Sequence, residues 1–401
     1  MKKRLLIIIA VSVVLIASCA RVGADSRVFG MQPGFEVEFN GEPTGAVSVV
    51  SGGSHRVPVR EVFEKAGAAV FYGCRTGRIL ILSRDGDMIY HTVGENTVMI
   101  NGLQSTFGEP SVLENGKTYM PVSMVSAALC PENISFEGGR INIQKYLFNN
   151  DYHKIIRDIL NVSGSDIFHA ERFQKYITCH ANVPSYAVWE AVFRVNLGLD
   201  CPFYENVSVI ADPNELCVLV NKYHRLPEGF GQINLVNMNR EYTVNDGKQY
   251  LLRDEAYQKF VQMSDAAKSE GIPIKAISAY RTEDYQRMLY TNKVRTAGQI
   301  HADNYSARPG FSEHQTGLAV DINSTSTSFE YTPAFAWLQN HAHEYGFIMR
   351  YPRGREWITG YSYEPWHYRY VGADIAYAVH AEGITYDEYY DKYITASEFA
   401  R

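Results

Sequence analysis

Ser312-Glu313-His314-Gln315-Thr316-Gly317-Leu318-Ala319-Val320-Asp321 sets a histidine and an aspartate seven residues apart around a glycine. A single helix through this stretch is disfavoured by Gly317, and Leu318-Ala319-Val320 has the habit of a short strand. A turn at Gly317 leading into the strand Leu318–Asp321 is expected to bring the side chains of His314 and Asp321 to one point. Downstream, Glu364-Pro365-Trp366-His367-Tyr368-Arg369-Tyr370 sets a glutamate three residues before a histidine in an extended, aromatic, β-prone segment. Upstream, a helix is predicted from Asp254 to Ser269, with Ala256, Phe260, Met263 and Ala267 on one face and Gly271 past its end. Ile272, Ile274 and Ala276 then alternate as in a strand, with Pro273 near its start. That strand delivers Ala279-Tyr280-Arg281 ahead of a helix holding Tyr285, Gln286, Met288 and Leu289. Together these elements predict an α+β domain with a small antiparallel sheet that carries the chemistry on one face.

A catalytic Zn²⁺ takes three protein ligands and keeps an open position for water. His314, Asp321 and His367 supply two imidazoles and a carboxylate, a ligand set of that kind. Glu364 is then free to act as general base on the attacking water. For either motif alone a hydrogen-bonded His–Asp core pair is the better reading; the two motifs together favour the metal. Trp366 reads as a packing wedge that orients His367. His341 and His343 fall two apart on a helix predicted over Ala334–Tyr345, where they face different ways, so no second metal is expected there. His301, in a polar stretch, is expected on a loop near the cleft mouth.

The motifs S-x-Y-R-x-x-x-x-Q (Ser278, Tyr280, Arg281, Gln286), S-x-H-x-x-G-x-A-V-D and E-P-W-H follow one another in that order. This pattern resembles the VanY-type D-alanyl-D-alanine carboxypeptidases over about residues 215–372. They belong to the zinc peptidase superfamily shared with the VanX dipeptidases and the hedgehog domains. The resemblance implies that His314, Asp321 and His367 bind zinc and that Glu364 is the catalytic acid/base. It also implies that Arg281 polarises the scissile carbonyl and stabilises the oxyanion, and that Ser312 and Gln286 contact the terminal D-residue and its carboxylate. The implied reaction is removal of the terminal D-Ala from peptidoglycan stem peptides. Alternatives are a peptidoglycan endopeptidase or a D-Ala-D-Ala dipeptidase of the same superfamily, and a non-catalytic, zinc-stabilised wall-binding protein. The presence of both Glu364 and Arg281 argues against the last, because a structural metal site needs neither.

An internal repeat precedes this domain. Asn40-Gly41, Arg56-Val57-Pro58-Val59 and Arg78-Ile79-Leu80-Ile81-Leu82 have counterparts about 62 residues later in Asn101-Gly102, Tyr119-Met120-Pro121-Val122 and Arg140-Ile141-Asn142-Ile143. Each unit reads as a hairpin with an Asn-Gly turn, a short helix opened near the proline and a closing strand. The pattern resembles the copper amine oxidase N-terminal-like repeat of secreted wall proteins, over about residues 35–145, and implies a small α+β domain. His55 and His91 are its only imidazoles, so no metal is expected. It reads as a spacer or wall-interaction module, or as a purely structural domain. Residues 146–215 are expected to be a helical connector, from apolar recurrences such as Tyr152, Ile155, Ile156, Ile159 and Leu160. An apolar strand Cys217–Lys222 is expected to open the domain of residues 216–401.

At the N-terminus, Lys2-Lys3-Arg4 precede the apolar run Leu5–Ala17, whose 13 residues are too few to span a bilayer and suit an export signal over residues 1–24. Ile16-Ala17-Ser18-Cys19 resembles a bacterial lipobox, which places Cys19 as a lipidation site ahead of plain cleavage after Ala20 or Ala24. Cleavage before Cys19 removes three cations and takes the formal charge from −6 to −9. That sign argues against a nucleic-acid partner, and a membrane is expected to be met only through the lipid anchor. Six cysteines in 401 residues are too few for a disulfide scaffold. Cys179 and Cys201 are a candidate pair, with two inert thiols as the equal alternative.

Overall fold

The computed structural model describes residues 32–400 apart from 74, 132, 148–150, 166, 232–233 and 396–398. The export segment and Cys19 lie outside the described residues. Chain contacts divide the protein into two units, one running to Asn196 and joined by residues 396–401, the other spanning Leu197–Thr395. Among the described residues no helix is long and apolar enough to cross a membrane.

In the first unit both Asn-Gly pairs form two-residue hairpin turns, between Gln32–Phe39 and Glu42–Ser51 and between Thr97–Ile100 and Leu103–Thr106. Asn40, Gly41, Asn101 and Gly102 all take positive φ, as a primed turn requires. The short helices Val59–Lys65 and Val122–Leu129 begin directly after Pro58 and Pro121. Each repeat gives its closing hairpin to the other: residues 133–144 extend the sheet of the first Asn-Gly hairpin, and residues 69–82 that of the second. The repeats are therefore one folding unit.

The run Arg78–Leu82 shows why this unit extends past residue 145. Ile79 and Ile81 enter the core shared by the two sheets, while Leu80 and Leu82 face the opposite way onto Ile156, Ile159, Phe173 and Val192. A strand apolar on both faces needs a second cover. The helices Asp151–Asn161, Phe173–Asn182 and Val188–Asn196 supply it. The segment expected as a connector over 146–215 is thus divided, its helices completing the first unit and the remainder joining the second.

The second unit carries an antiparallel sheet of four short strands, β1 (Ala276–Ser278), β2 (Ala319–Ile322), β3 (Phe347–Met349) and β4 (His367–Tyr370), in the order β1-β2-β4-β3. Helix α1 (Asp254–Ser269) has the predicted bounds, and Ala256, Phe260, Met263 and Ala267 are fully buried against the sheet. Helix α2 (Glu283–Ala297) follows β1, and α3 (Pro333–His341) precedes β3.

Four local expectations change. The strand expected at 272–278 shortens to β1, because Pro273 has no N–H and the Asn323 side chain engages the Pro273 carbonyl and the Lys275 amide. Cys217–Lys222 forms no strand: Cys217 and Lys222 lie in turns, and Asn221 makes only an isolated bridge to His224. The carbonyls of Leu216 and Val218 accept from Arg369, and that of Cys217 from the Tyr386 hydroxyl, so side chains take the place of a neighbouring strand. His301 lies on the helix Gln299–Tyr305 rather than on a loop. α3 stops at His341 and gives way to a 3₁₀ turn, Ala342–Tyr345. Among the described residues Cys130, Cys201 and Cys217 are free thiols.

Candidate metal centre

Three elements converge at one end of the sheet. The 3₁₀ turn Glu313–Thr316 carries His314 and is closed by Gly317 in the left-handed region (φ 68°), where a glycine carries no steric penalty. Asp321 sits on β2 and His367 opens β4, and the two are direct register partners. The turn, the strand and the register bring one ligand atom of each of His314, Asp321 and His367 within 4.8 Å of the others. All three side chains are buried.

Neighbouring groups assign the ring nitrogens. His314 Nδ1 lies 2.7 Å from the Ala279 carbonyl, which can only accept, so the proton sits on Nδ1 and the Nε2 lone pair is free. His367 Nε2 lies 3.3 Å from Glu313 Oε2, which leaves Nδ1 to face Asp321 Oδ1 at 3.2 Å. Asp321 Oδ2 accepts from Arg281 Nη2 at 3.1 Å. His314 Nε2 and Asp321 Oδ1 are buried and make no hydrogen bond, 3.4 Å apart. Buried polar atoms left without partners are costly, and a cation among them satisfies both. Two imidazoles and a carboxylate suit zinc. Burial, assisted by Arg281, lowers His314 to about 4, so its ring is neutral as a ligand must be. Burial alone would raise Asp321, but His314, His367 and Arg281 hold it well below the usual carboxylate range.

Glu364 stands in the turn before β4 with Oε2 3.7 Å from His367 Nδ1. Burial pushes its carboxyl up to about 7, against the opposing pull of His367. A carboxylate poised there exchanges a proton readily near neutrality. Arg281, delivered by the end of β1, spends Nη2 on Asp321, Nη1 on Gln286 Oε1 (3.0 Å) and Nε on Ser278 Oγ (3.3 Å). Three of its five N–H groups are so engaged, and the guanidinium is fixed in place with donors to spare. Gln286 is buried, and its amide nitrogen is spent on Ser306 Oγ and the Ala307 carbonyl. That arrangement makes it the brace of Arg281. Ser312 is buried immediately before the 3₁₀ turn, and its hydroxyl makes no hydrogen bond among the described residues.

Glu313, inside the motif, was given no role by the sequence. It is fully buried, its Oε2 meets His367 Nε2, and its Oε1 accepts from Arg350 Nε (2.8 Å) and Arg369 Nη1 (2.9 Å). Burial alone would raise its pKa; the two guanidiniums overcome that and hold it ionised. Arg350 and Arg369 stand beside apolar or aromatic residues, Phe347-Ile348-Met349 and Tyr368 and Tyr370, whereas Glu313 lies among polar residues and carries no such signal.

A buried cluster of two histidines and one carboxylate, with a glutamate and a guanidinium beside it, has the make-up of a metal-dependent hydrolase site. Residues 249–373 match the family profile described as D-alanyl-D-alanine carboxypeptidase (VanY), and residues 38–139 match that of the copper amine oxidase N-terminal domain. A putative carboxypeptidase, YodJ of Bacillus subtilis (strain 168), is 41% identical over 196 residues, covering 47% of this chain and 71% of that protein. The bifunctional D-Ala-D-Ala dipeptidase and D-Ala-D-Ala carboxypeptidase VanXYC of Enterococcus gallinarum is 33% identical, covering 43% of this chain and 92% of that protein. A solved structure of the LdcB LD-carboxypeptidase is 38% identical over 47% of this chain and 91% of that chain, with a TM-score of 0.45. The chain belongs to the VanY family of D-alanyl-D-alanine carboxypeptidases.

Proposed function

We propose that this protein is a zinc-dependent D-alanyl-D-alanine carboxypeptidase that removes the terminal D-Ala from peptidoglycan stem peptides. One observation carries the reading: His314, Asp321 and His367 converge with Glu364 3.7 Å from a ligand nitrogen and Arg281 braced against Asp321. Bound zinc supplies Lewis acidity and makes water a stronger acid. His314, Asp321 and His367 hold it. Glu364 takes the proton of the attacking water and returns it to the leaving amine. Arg281 donates to the carbonyl oxygen as it gains negative charge, an interaction stronger in the transition state than in the ground state. Ser312 offers its hydroxyl to the terminal residue, while Gln286 acts through Arg281. Family membership supports the reaction class.

The test is mass spectrometry of a pentapeptide ending in D-Ala-D-Ala, with and without chelator. Loss of one D-Ala, abolished by chelator, is expected. A tetrapeptide ending in one D-Ala forms the second arm, since one similar solved structure is of an LD-carboxypeptidase. Cleavage of the tetrapeptide alone overturns the D,D reading, as does cleavage confined to free D-Ala-D-Ala or to cross-linked peptides. Replacing His314, Asp321 or His367 by Ala should lower zinc content, and full occupancy in all three overturns the ligand assignment.

The residues around Cys19 support the further proposal of an exported lipoprotein at the outer face of the membrane, with residues 35–145 as a spacer or wall-contact module. Cys19→Ser should leave export intact and release the protein into the medium. A wild type already soluble there at full mature length refutes the anchor.

A further inference from the structure

We infer that Glu313 and Asp387 are positioning residues for the metal centre, and that the segment around Asp387, past the end of the matched profile at residue 373, is part of the catalytic machinery. This rests on the zinc reading above. Four buried charges run inward from His367. Glu313 meets the ring through Oε2, and its Oε1 is shared by Arg350 and Arg369. Arg350 then turns its outer nitrogens to Asp387, with Nη1 at 2.6 Å from Oδ2 and Nη2 at 3.4 Å from Oδ1. Asp387 also accepts from Asn221 Nδ2 at 2.8 Å. Its own place is set by the short helix Tyr386–Tyr389, which opens with a reciprocal capping box between Thr385 and Glu388.

Two carboxylates and two guanidiniums balance to zero, so the chain survives burial, but stability is a poor reason for it. Buried ion pairs often do no better than apolar side chains of similar volume. Geometry supplies the reason. Two guanidiniums on one oxygen fix the plane of the Glu313 carboxylate and leave the other oxygen for His367 Nε2. The ring is then held as the Nε2–H tautomer, with Nδ1 turned to Asp321 and Glu364. A ligand histidine that donates its second N–H to a carboxylate gains both orientation and basicity. Asp387 acts one step further back by fixing the rotation of Arg350.

Glu313→Gln is a discriminating change. A glutamine that keeps its oxygen on the arginines turns an NH₂ toward His367 Nε2, donor against donor, and disfavours the tautomer that frees Nδ1. In the full-length protein, chelator competition should show zinc bound about 10–100-fold more weakly, and the visible spectrum of the cobalt(II)-loaded protein should change. Asp387→Asn should give a smaller loss in the same direction. Phe260→Leu, in α1 away from the site, controls for general destabilisation and should keep wild-type zinc affinity at a lowered melting temperature. Wild-type affinity and an unchanged cobalt spectrum in both folded charge variants overturn the inference, as does an equal loss of affinity in Phe260→Leu. If Glu313→Gln does not fold, Asp387→Asn decides alone. A wild type that takes up no zinc refutes the zinc reading instead.

Discussion

Replacing Gly317 by alanine tests whether one backbone conformation holds the metal ligands together. Gly317 has φ 68° and ψ 18°, donates its N–H to the His314 carbonyl, and accepts from the Arg253 amide at 2.9 Å. An L-residue in the left-handed region costs about 1–2 kcal/mol. A β-carbon would also stand 2.7 Å from Leu235 Cδ2, 3.1 Å from Arg253 Cγ and 3.4 Å from the Arg253 amide nitrogen. The tip of Leu235 can rotate away. The Arg253 stem is less free, because its guanidinium is tied to the Asn214 carbonyl and to Glu255. Such overpacking adds roughly 1–3 kcal/mol, so the total is about 2–5 kcal/mol. In a domain of about 200 residues this lowers the melting temperature by roughly 4–20 °C. Because the strain falls between His314 and Asp321, zinc affinity should drop by about tenfold or more, as when other supports of a ligand are lost. Thermal unfolding and chelator competition measure the two effects. Gly383→Ala is the matched control: φ is 65°, ψ is 31°, and a β-carbon meets nothing within 4 Å. It should cost only the backbone part and leave zinc binding intact. A Gly317→Ala protein no less stable than Gly383→Ala, with wild-type zinc affinity, refutes the reasoning.

Glu364→Gln should keep zinc and substrate binding while turnover falls by roughly 10²–10⁴; near-wild-type turnover in steady-state assays removes it as the base. Arg281→Ala should lower kcat and kcat/KM together, by about 10²–10³. A raised KM with kcat unchanged makes Arg281 an anchor for the substrate carboxylate instead. Lys222 is buried among the rings of Phe203, Tyr204 and Tyr361, and burial lowers its ammonium to about 8. Between pH 8 and 10 the unfolded chain therefore binds more protons at this residue than the folded one, and stability rises with pH. Relative to Lys222→Met, wild type should gain up to about 1.4 kcal/mol per pH unit across that window. Urea unfolding at pH 7.5 and 9.5 measures it, and a pH-independent difference contradicts it.

The sequence by itself determined the features whose cause lies within a few residues. Asn40-Gly41 and Asn101-Gly102 dictate primed turns, Pro58 and Pro121 open helices, and the apolar stripe of α1 sets its bounds and its buried face. The glycine between His314 and Asp321 and the glutamate before His367 announced the centre, because a short turn and a short strand suffice to bring those groups together. What only the tertiary structure decided are the arrangements whose partners are distant in the chain. Leu80 and Leu82 look like any strand residues until the helices after residue 150 cover them, and the segment at Cys217 needs Arg369 and Tyr386 to satisfy its carbonyls. Glu313 lies 56 residues from Arg369, and Asp387 lies 166 from Asn221. From sequence a charge signals only that some partner must exist if it is buried. Which partner it takes depends on how sheets and helices close around it, since the cost of burying a charge is met by geometry, with no regard to distance along the chain.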